Sequence, residues 1–509
     1  MKDLNKQKLL NEALSYHNLG QLDSANKIYL KILESDPNNF DANHLHGLVL
    51  SQKKNYVKSI DFFAKAYSQG PATCELLNNF AIAYRNLKAY SECEKLLYEA
   101  LTLDKNFMNT YKNLANCFLS QSKEDDALEV LESAYDMGID RKEFITRIIE
   151  VLYPKLNQKN ECEYKKKYEK YAHILSKENY PTSKALSGLC YLHLDKIENS
   201  TKLFKDAESL VSGSIPKVDT LKKLKHKEIL LTMIKHEYEQ ITHIDSDADG
   251  IRNVKITQEF YDSLKNLYNK MNTDFSDEEY KFISLLHKIR YNKAPKSRLN
   301  YLNNDLDVEL YHKSYKESDP HIIVIDDFLD KTFLNDLRKY FRCANIFKYP
   351  YLRGYIGAFL GKGMANKPIL ELSRELRDTF PDIFKMSNLS QAWAFKYDSQ
   401  QKGISIHADD AKVNVNFWIT DDSANLDKQS GGLVIWKRKP SLDTKFTDYN
   451  SLDSVPKMED EVKNTDSITI PYKANRAIVF DSRLYHATDE INFKDDYINR
   501  RINVTFLYK

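Results

Sequence analysis

Small and large apolar residues recur along the first part of the chain with a period of 34 residues. Each period holds two small positions twelve residues apart, and a large apolar position follows the second. These positions are Ala13, Gly47, Ala81 and Ala115, then Ala25, Ser59, Cys93 and Ala127, then Tyr29, Phe63, Leu97 and Leu131. Small residues let two antiparallel helices approach closely, and the large residue fills the gap to the next pair. The pattern therefore predicts a stack of helix pairs.

This spacing resembles the tetratricopeptide repeat, and Pro37 and Pro71 close the first two units. A fifth copy keeps the same register through Gly188, Tyr191, Ser200, Phe204 and Ala207. The units lie near residues 6–39, 40–73, 74–107, 108–141 and 181–214, and together they predict an N-terminal α-solenoid over 1–214. The resemblance implies a concave surface that binds a protein or peptide partner, although helix packing alone would also account for these residues.

Residues 215–300 remain charged and helical in pattern, as in HKEILLTMIKHEYEQI, and we expect a helical connector there. Within it, DSDADG at 245–250 is similar to the start of an EF-hand loop. Ile256 occupies the twelfth loop position, where calcium binding requires a glutamate. A polar turn is the better interpretation.

Beyond residue 300 the pattern changes to short apolar runs that are typical of strands. They are HIIVIDDF, AWAFKY, GISIHAD, VNVNFWIT, GGLVIW, SITIPY, RAIVFD and RINVTFLY. Gly, Asp, Asn and Pro separate them, and no long helix is expected in between. We therefore expect an all-β sandwich or small barrel over 301–509.

A candidate metal site lies in the third of these runs. Residues two apart on a strand share a face, so His407 and Asp409 project together. Beyond residue 400 the sequence offers one other histidine, His486, as a third ligand. Two imidazoles and one carboxylate form the facial arrangement that holds iron(II) and leaves positions open for oxygen chemistry.

In this order of motifs, residues 301–509 resemble the Fe(II)/2-oxoglutarate-dependent dioxygenases, which fold as a double-stranded β-helix, or jelly roll. Their HxD motif, distal histidine and basic residue on the last strand match His407-Ala-Asp409, His486 and Arg501, and VIDDFL at 324–329 matches an entry strand. The resemblance implies iron(II), 2-oxoglutarate as cosubstrate and ascorbate as a possible further cofactor. It also implies hydroxylation of a C–H bond with succinate and CO2 as coproducts, with no catalytic residue beyond the metal ligands.

Two arginines compete for the basic position of that motif. Arg501 shares a strand face with Asn503 and Thr505, so it joins a polar row suited to a cofactor cavity, whereas Arg500 begins the opposite row. A guanidinium binds a carboxylate through two parallel hydrogen bonds. We therefore assign the distal carboxylate of 2-oxoglutarate to Arg501.

Two further positions are candidates for cosubstrate binding. Similar family members use a residue near the position of Tyr397, ten residues before His407, to hydrogen-bond the cosubstrate. Asn414 and Asn416 are also placed to line the cavity, although polar strand residues often simply face solvent.

The segment between the two histidines is long, and its polar part at 440–467 is interpreted as an insertion near the mouth of the site. As a loop it would be able to move or to contact substrate. Repeats joined to such an oxygenase favour a protein or peptide substrate. The alternatives are a small-molecule or nucleobase oxygenase, or a tetratricopeptide scaffold whose oxygenase-like domain is inactive.

The composition of the chain limits the partners, metal sites and locations that we expect for the protein. The 509 residues are 42% hydrophobic and 29% charged, with a net charge of +2, so no basic field favours nucleic acid. The six cysteines form no CxxC pair, which argues against a thiolate zinc site. No apolar run is long enough to span a membrane, and the first residues lack a secretion-signal pattern. We therefore expect a cytoplasmic protein of several domains, with no membrane partner.

Overall fold

A computed structural model describes residues 3–157, 161–246, 256–270, 272–384, 387–401, 403–441 and 444–509. Most of the predicted DSDADG turn, residues 247–250, lies outside these ranges. The chain divides into two compact units, Met1–Tyr171 and Ala172–Lys509. No helix in the described ranges is both long and apolar enough to cross a bilayer.

The first unit is built of antiparallel helix pairs. Its helices are α1 Asp3–Asn18, α2 Leu22–Ser35, α3 Phe40–Gln52, α4 Tyr56–Gln69, α5 Cys74–Asn86, α6 Tyr90–Leu103, α7 Met108–Leu119, α8 Glu124–Asp136 and α9 Arg141–Leu152, followed by α10 Glu161–Lys177, in which the boundary between the units falls. The predicted small positions are buried between paired helices. A Cβ added to Gly47 would lie 2.9 Å from ring carbons of Phe63. Close approach of α3 and α4 therefore requires a very small residue here.

The second unit begins with more helices. They are α11 Pro181–His193, α12 Ile197–Gly213, α13 Val218–Lys222, α14 Glu228–Asp245, α15 Gln258–Lys270 and α16 Asp277–Leu286. The sequence grouped α11 and α12 with the first four repeats, but the chain contacts place this pair in the second unit. Leu192, Ile197 and Phe204 belong to the same hydrophobic core as the sheet that follows.

The sheet-rich region also contains helices. They are α17 Val308–Glu317, α18 Lys331–Cys343, α19 Lys367–Thr379, α20 Pro381–Phe384 and α21 Val455–Val462. The expectation of no long helix after residue 300 is therefore wrong. Asp330 caps α18 by accepting hydrogen bonds from two backbone N–H groups, and Phe333, Leu337 and Phe341 of its apolar stripe pack into the core.

Twelve strands lie in the described part of this unit. They are β1 Ile322–Ile325, β2 Tyr349–Tyr351, β3 Tyr355–Phe359, β4 Leu389–Tyr397, β5 Gln400–Gln401, β6 Val413–Trp418, β7 Leu433–Trp436, β8 Ser467–Ile470, β9 Ala477–Asp481, β10 His486–Thr488, β11 Ile491–Asn492 and β12 Ile502–Tyr508. A seven-stranded antiparallel sheet has the order β1-β9-β6-β12-β4-β3-β2, and smaller sheets have the orders β10-β7-β8 and β11-β5.

The prediction of a strand at GISIHAD, residues 403–409, is wrong. Residues 403–409 form one isolated antiparallel bridge, between His407 and His486, and a further backbone hydrogen bond from Thr488 to Ile404, rather than a continuous ladder. The alternation of apolar and polar side chains is the same in an extended loop as in a strand, which explains the error.

The connector helices pack directly on the large sheet. Glu237 of α14 is fully buried, forms an ion pair with Lys348 and accepts a hydrogen bond from Asn345. Gln240 donates to the carbonyl oxygens of Arg342 and Ala344 at 2.9 and 3.1 Å. Buried polar groups need such partners, so α14 is part of the second unit's core rather than a loose linker.

We predict that His193 makes the second unit sensitive to acid. Its Nε2 donates to the carbonyl oxygen of Leu389, 2.9 Å away, and burial lowers the pKa of His193 to about 4, against about 6.5 in an unfolded chain. Between these values the unfolded chain binds more protons, so the free energy of unfolding rises with pH. Going from pH 7 to pH 4.5 then costs on the order of 2 kcal/mol at this one residue.

The test is urea unfolding of wild type and His193→Gln at both pH values. Glutamine keeps an amide donor for Leu389 but does not titrate. We expect the loss of stability between pH 7 and 4.5 to be about 2 kcal/mol smaller in the variant. An identical pH dependence in both proteins would show that His193 is not responsible.

Candidate active site

The two predicted histidine ligands face each other across a pair of backbone hydrogen bonds. The N–H of His407 donates to the carbonyl of His486 at 3.0 Å, and the N–H of His486 donates to that of His407 at 2.8 Å. Their ring centroids are 4.3 Å apart. Residues that are far apart in the sequence are thus held side by side by the main chain.

Backbone carbonyls also set how each imidazole is protonated. Nδ1 of His407 lies 2.9 Å from the carbonyl oxygen of Ser405, and Nδ1 of His486 lies 2.8 Å from that of Leu484. A carbonyl only accepts, so each Nδ1 carries a proton, and Nε2 is the ring nitrogen left to bind a metal. Burial lowers the pKa of His407 to about 4, helped by the neighbouring imidazole of His486. His407 is therefore neutral at pH 7, as a metal ligand must be.

Asp409 completes the cluster as a buried carboxylate. Its Oδ2 lies 3.5 Å from Nε2 of His486 and accepts a hydrogen bond from Nδ2 of Asn414 at 3.1 Å. Burial alone would raise the pKa of Asp409, but the two adjacent imidazoles, His486 first and then His407, outweigh it and lower the pKa. The carboxylate is therefore ionised at neutral pH.

The ligand atoms of His407, Asp409 and His486 all lie within 4.8 Å of one another. No other group of three or more His, Cys, Asp or Glu residues in the described ranges has this closeness. Two imidazole nitrogens and one carboxylate oxygen converging on one point fit an iron(II) ion with open coordination positions. The donor set and its hydrogen-bonded support are therefore suited to such a metal.

Arg501 lies in the interior of the same unit and is 1% exposed. Its Nε donates to the carbonyl of Gly431 at 2.6 Å, and its guanidinium lies over the ring of Tyr397, 4.9 Å from the centroid. It forms no ion pair with any carboxylate in the described residues, whereas Arg500 pairs with both Glu239 and Asp398. A buried charge without a counter-ion is costly, so Arg501 is the arginine that suits a bound anion.

Two buried polar atoms near Arg501 lack a hydrogen-bond partner. The hydroxyl of Tyr397 and Oδ1 of Asn416 are buried without a hydrogen bond. Nδ2 of Asn416 donates to Oγ1 of Thr505 at 3.1 Å, and the N–H of Tyr397 donates to the carbonyl of Arg501 at 3.0 Å. Tyr397 thus lies on β4 and Asn416 on β6. Arg501 immediately precedes β12, the strand that pairs with both of them.

Strand β7 connects Arg501 to the metal-site cluster. The carbonyl of Gly432, just before β7, accepts from the guanidinium at 3.3 Å, and Ile435 of β7 pairs with His486. At about 3.3 Å per residue, Gly432 and Ile435 lie on the order of 10 Å apart along this strand.

His407 and Asp409 lie at a cavity of about 790 Å³. One wall is aromatic and comes from β2, β3 and β4; its rings belong to Tyr351, Tyr355, Phe359, Trp393 and Phe395. Further lining comes from the predicted insertion, through Phe446, Asn450, Leu452 and Val455. The insertion therefore lines the cavity beside His407 and Asp409.

Two features of the site were missed from the sequence. Trp393, Phe395 and Tyr397 alternate along β4, so the period-two pattern could have identified an aromatic face. Asn450, whose Nδ2 lies 3.5 Å from Oδ1 of Asp409, had no sequence signal because the insertion shows no regular apolar period.

Comparisons with known proteins concern the repeats. A family model described as a tetratricopeptide repeat matches residues 9–39. No curated protein matches the chain.

Solved structures resemble part of the chain. They include YrrB, a TPR protein with an unusual peptide-binding site, at 17% identity over 40% of this chain and 84% of that one, with a TM-score of 0.24. PilF of Pseudomonas aeruginosa is 20% identical over 42% and 94% of the two chains, with a TM-score of 0.31. A tetratricopeptide repeat protein from Parabacteroides merdae is 15% identical over 41% and 80%, with a TM-score of 0.31. The N-terminal region of this chain contains tetratricopeptide repeats.

Proposed function

We propose that the protein is an Fe(II)- and 2-oxoglutarate-dependent dioxygenase that hydroxylates a C–H bond on a protein or peptide. The observation that carries this proposal is that the second unit contains both a cluster of metal ligands and a buried arginine without a counter-ion. His407, Asp409 and His486 offer three metal ligands within 4.8 Å of one another, and Arg501 is a buried cation without a carboxylate partner in the described residues. In this proposal the seven-stranded sheet and the β10-β7-β8 sheet form a double-stranded β-helix.

In this proposal the chain's own residues bind the metal ion and orient the cosubstrate. Nε2 of His407, Nε2 of His486 and the carboxylate of Asp409 would hold iron(II), which when bound supplies oxygen activation coupled to the conversion of 2-oxoglutarate to succinate and CO2. Arg501 binds the distal carboxylate of the cosubstrate, and the free hydroxyl of Tyr397 donates to it. In this proposal a five-carbon dicarboxylate joins the two sites, which β7 and the residue before it contact through Ile435 and Gly432.

The cavity supports an apolar portion of a polypeptide as the group that reacts. Phe446 and Leu452 at its rim remain 50% and 63% exposed, so apolar surface continues beyond the mouth. The charged residues around it are already engaged, because Lys509 pairs with Asp410 and Arg353 donates to Oγ of Ser405. Among the described residues, this lining lacks the cluster of free cations that a phosphate-bearing substrate needs.

The repeats supply the second candidate function, an interaction protein in which the oxygenase-like unit is inactive. Stacked helix pairs present an extended surface, which such proteins use to bind partners. We propose that this surface binds a protein or peptide in either case. The two candidates differ in whether the second unit turns over 2-oxoglutarate.

The test is anaerobic reconstitution of the full chain with Fe(II), followed by addition of 2-oxoglutarate and oxygen. We expect succinate formation that depends on Fe(II) and stops when a chelator is added. A protein that binds neither Fe(II) nor 2-oxoglutarate would support the interaction-protein candidate instead.

A further inference from the structure

The insertion, defined here as residues 444–467, is packed on the back of the metal-site cluster. Tyr449, Met458 and Val462 of the insertion form one hydrophobic cluster with Ile406, Ala408 and Tyr485. Ala408 contacts the insertion, whereas its neighbours His407 and Asp409 line the cavity. On the other ligand segment, Tyr485 contacts the insertion immediately before His486.

Hydrogen bonds fix the insertion to the same two segments. The N–H of Ala408 donates to the carbonyl of Tyr449 at 3.0 Å. The hydroxyl of Tyr485 donates to Oε2 of Glu461 at 2.8 Å. The insertion is therefore held at both ligand segments rather than at one.

Asn450 is the insertion residue that reaches a ligand atom. Its Nδ2 donates to the carbonyl of Ala408 at 2.7 Å and lies 3.5 Å from Oδ1 of Asp409. Asn414 donates to the other carboxylate oxygen, Oδ2, at 3.1 Å. An amide donor on each oxygen restricts rotation of the carboxylate about its χ2 angle, a torsion that is otherwise broad.

We propose that Asn450 is a positioning residue for Asp409, holding the carboxylate in the orientation that faces the two imidazoles. The insertion then has two roles, since Phe446 and Leu452 on either side of Asn450 form one wall of the cavity. The identity of the metal rests on the proposed function, but the orientation of the carboxylate does not. Partners that orient metal ligands change metal affinity by about 10–100-fold when removed.

The experiment measures Mn(II) binding to the full chain by electron paramagnetic resonance, without cosubstrate or substrate. Asn450→Ala removes the amide, and Asn450→Leu removes it while keeping the side-chain volume close. We expect both to weaken Mn(II) binding by about tenfold or more. The electronic spectrum of the Co(II)-loaded protein should also change, because the carboxylate takes a different orientation.

Glu461→Ala is the matched control. It removes the bond between Tyr485 and the insertion without touching Asp409, so it should loosen the insertion and leave Mn(II) affinity and the Co(II) spectrum unchanged. The proposal is overturned if either folded Asn450 variant binds Mn(II) as tightly as wild type, or if Glu461→Ala weakens binding equally. It is also overturned if the wild type does not bind Mn(II). If the wild type binds Mn(II) but never forms succinate, the dioxygenase function fails while the role of Asn450 stands.

Discussion

His486→Ala is expected to abolish Fe(II)-dependent succinate formation, with a fall of more than about a hundredfold. The reason is that His486 supplies one of only three ligand atoms in the cluster, and even residues that merely orient ligands change affinity by about 10–100-fold. Its loss also leaves Asp409 without the imidazole that lies 3.5 Å away. Succinate is measured by mass spectrometry, and bound iron by elemental analysis of anaerobically prepared protein.

A second histidine in the same unit provides the control. His226 is exposed and contacts Glu228, so His226→Ala should form succinate at the wild-type rate. Equal succinate formation by His486→Ala and His226→Ala would remove His486 from the metal site.

Arg501→Lys is expected to raise the Kd for 2-oxoglutarate by about tenfold to a hundredfold while Mn(II) binding stays at the wild-type level. Lysine keeps the charge but loses the fork that makes two parallel bonds to a carboxylate. Charge-assisted hydrogen bonds contribute about 1.5–3 kcal/mol each, and each 1.4 kcal/mol is a factor of ten in Kd. Isothermal titration calorimetry of the Mn(II)-loaded protein measures both affinities.

The neighbouring arginine offers the comparison. Arg500 is engaged by Glu239 and Asp398, so Arg500→Lys should lower the free energy of unfolding with little effect on the Kd for 2-oxoglutarate. An unchanged Kd in Arg501→Lys, or a larger increase in Arg500→Lys, would contradict the assignment of Arg501.

The repeat architecture could be predicted because it depends on local packing that the sequence records directly. A position such as Gly47, which faces the ring of Phe63, allows no large residue, and this constraint returns in every unit. Where α11 and α12 belong could not be predicted in the same way. Their repeat pattern is normal, but the core that they share with the sheet depends on residues far along the chain.

The candidate ligands could be named from the sequence, but their meeting point could not. His407 and His486 come together through one isolated β-bridge, and no periodic pattern in the sequence predicts such a bridge. The choice of Arg501 over Arg500 rests in the sequence on strand alternation alone, and the ion pairs of Arg500 with Glu239 and Asp398 agree with it. Asn450 lies in a polar segment without periodicity, so only the fold brings it to Asp409.

Helices α18 and α19 contradict the prediction of no long helix after residue 300, although the sequence contains a signal for them. Their apolar stripes, such as Phe333, Leu337 and Phe341, have the spacing of a helix and could have been recognised.

The most direct test of the account is a crystal structure of the protein grown anaerobically with Mn(II) and 2-oxoglutarate. The account predicts an anomalous scattering peak bonded to Nε2 of His407, Nε2 of His486 and the carboxylate of Asp409, with the distal carboxylate of 2-oxoglutarate on the guanidinium of Arg501. A peak bonded to other residues, or density for 2-oxoglutarate away from Arg501, would contradict it.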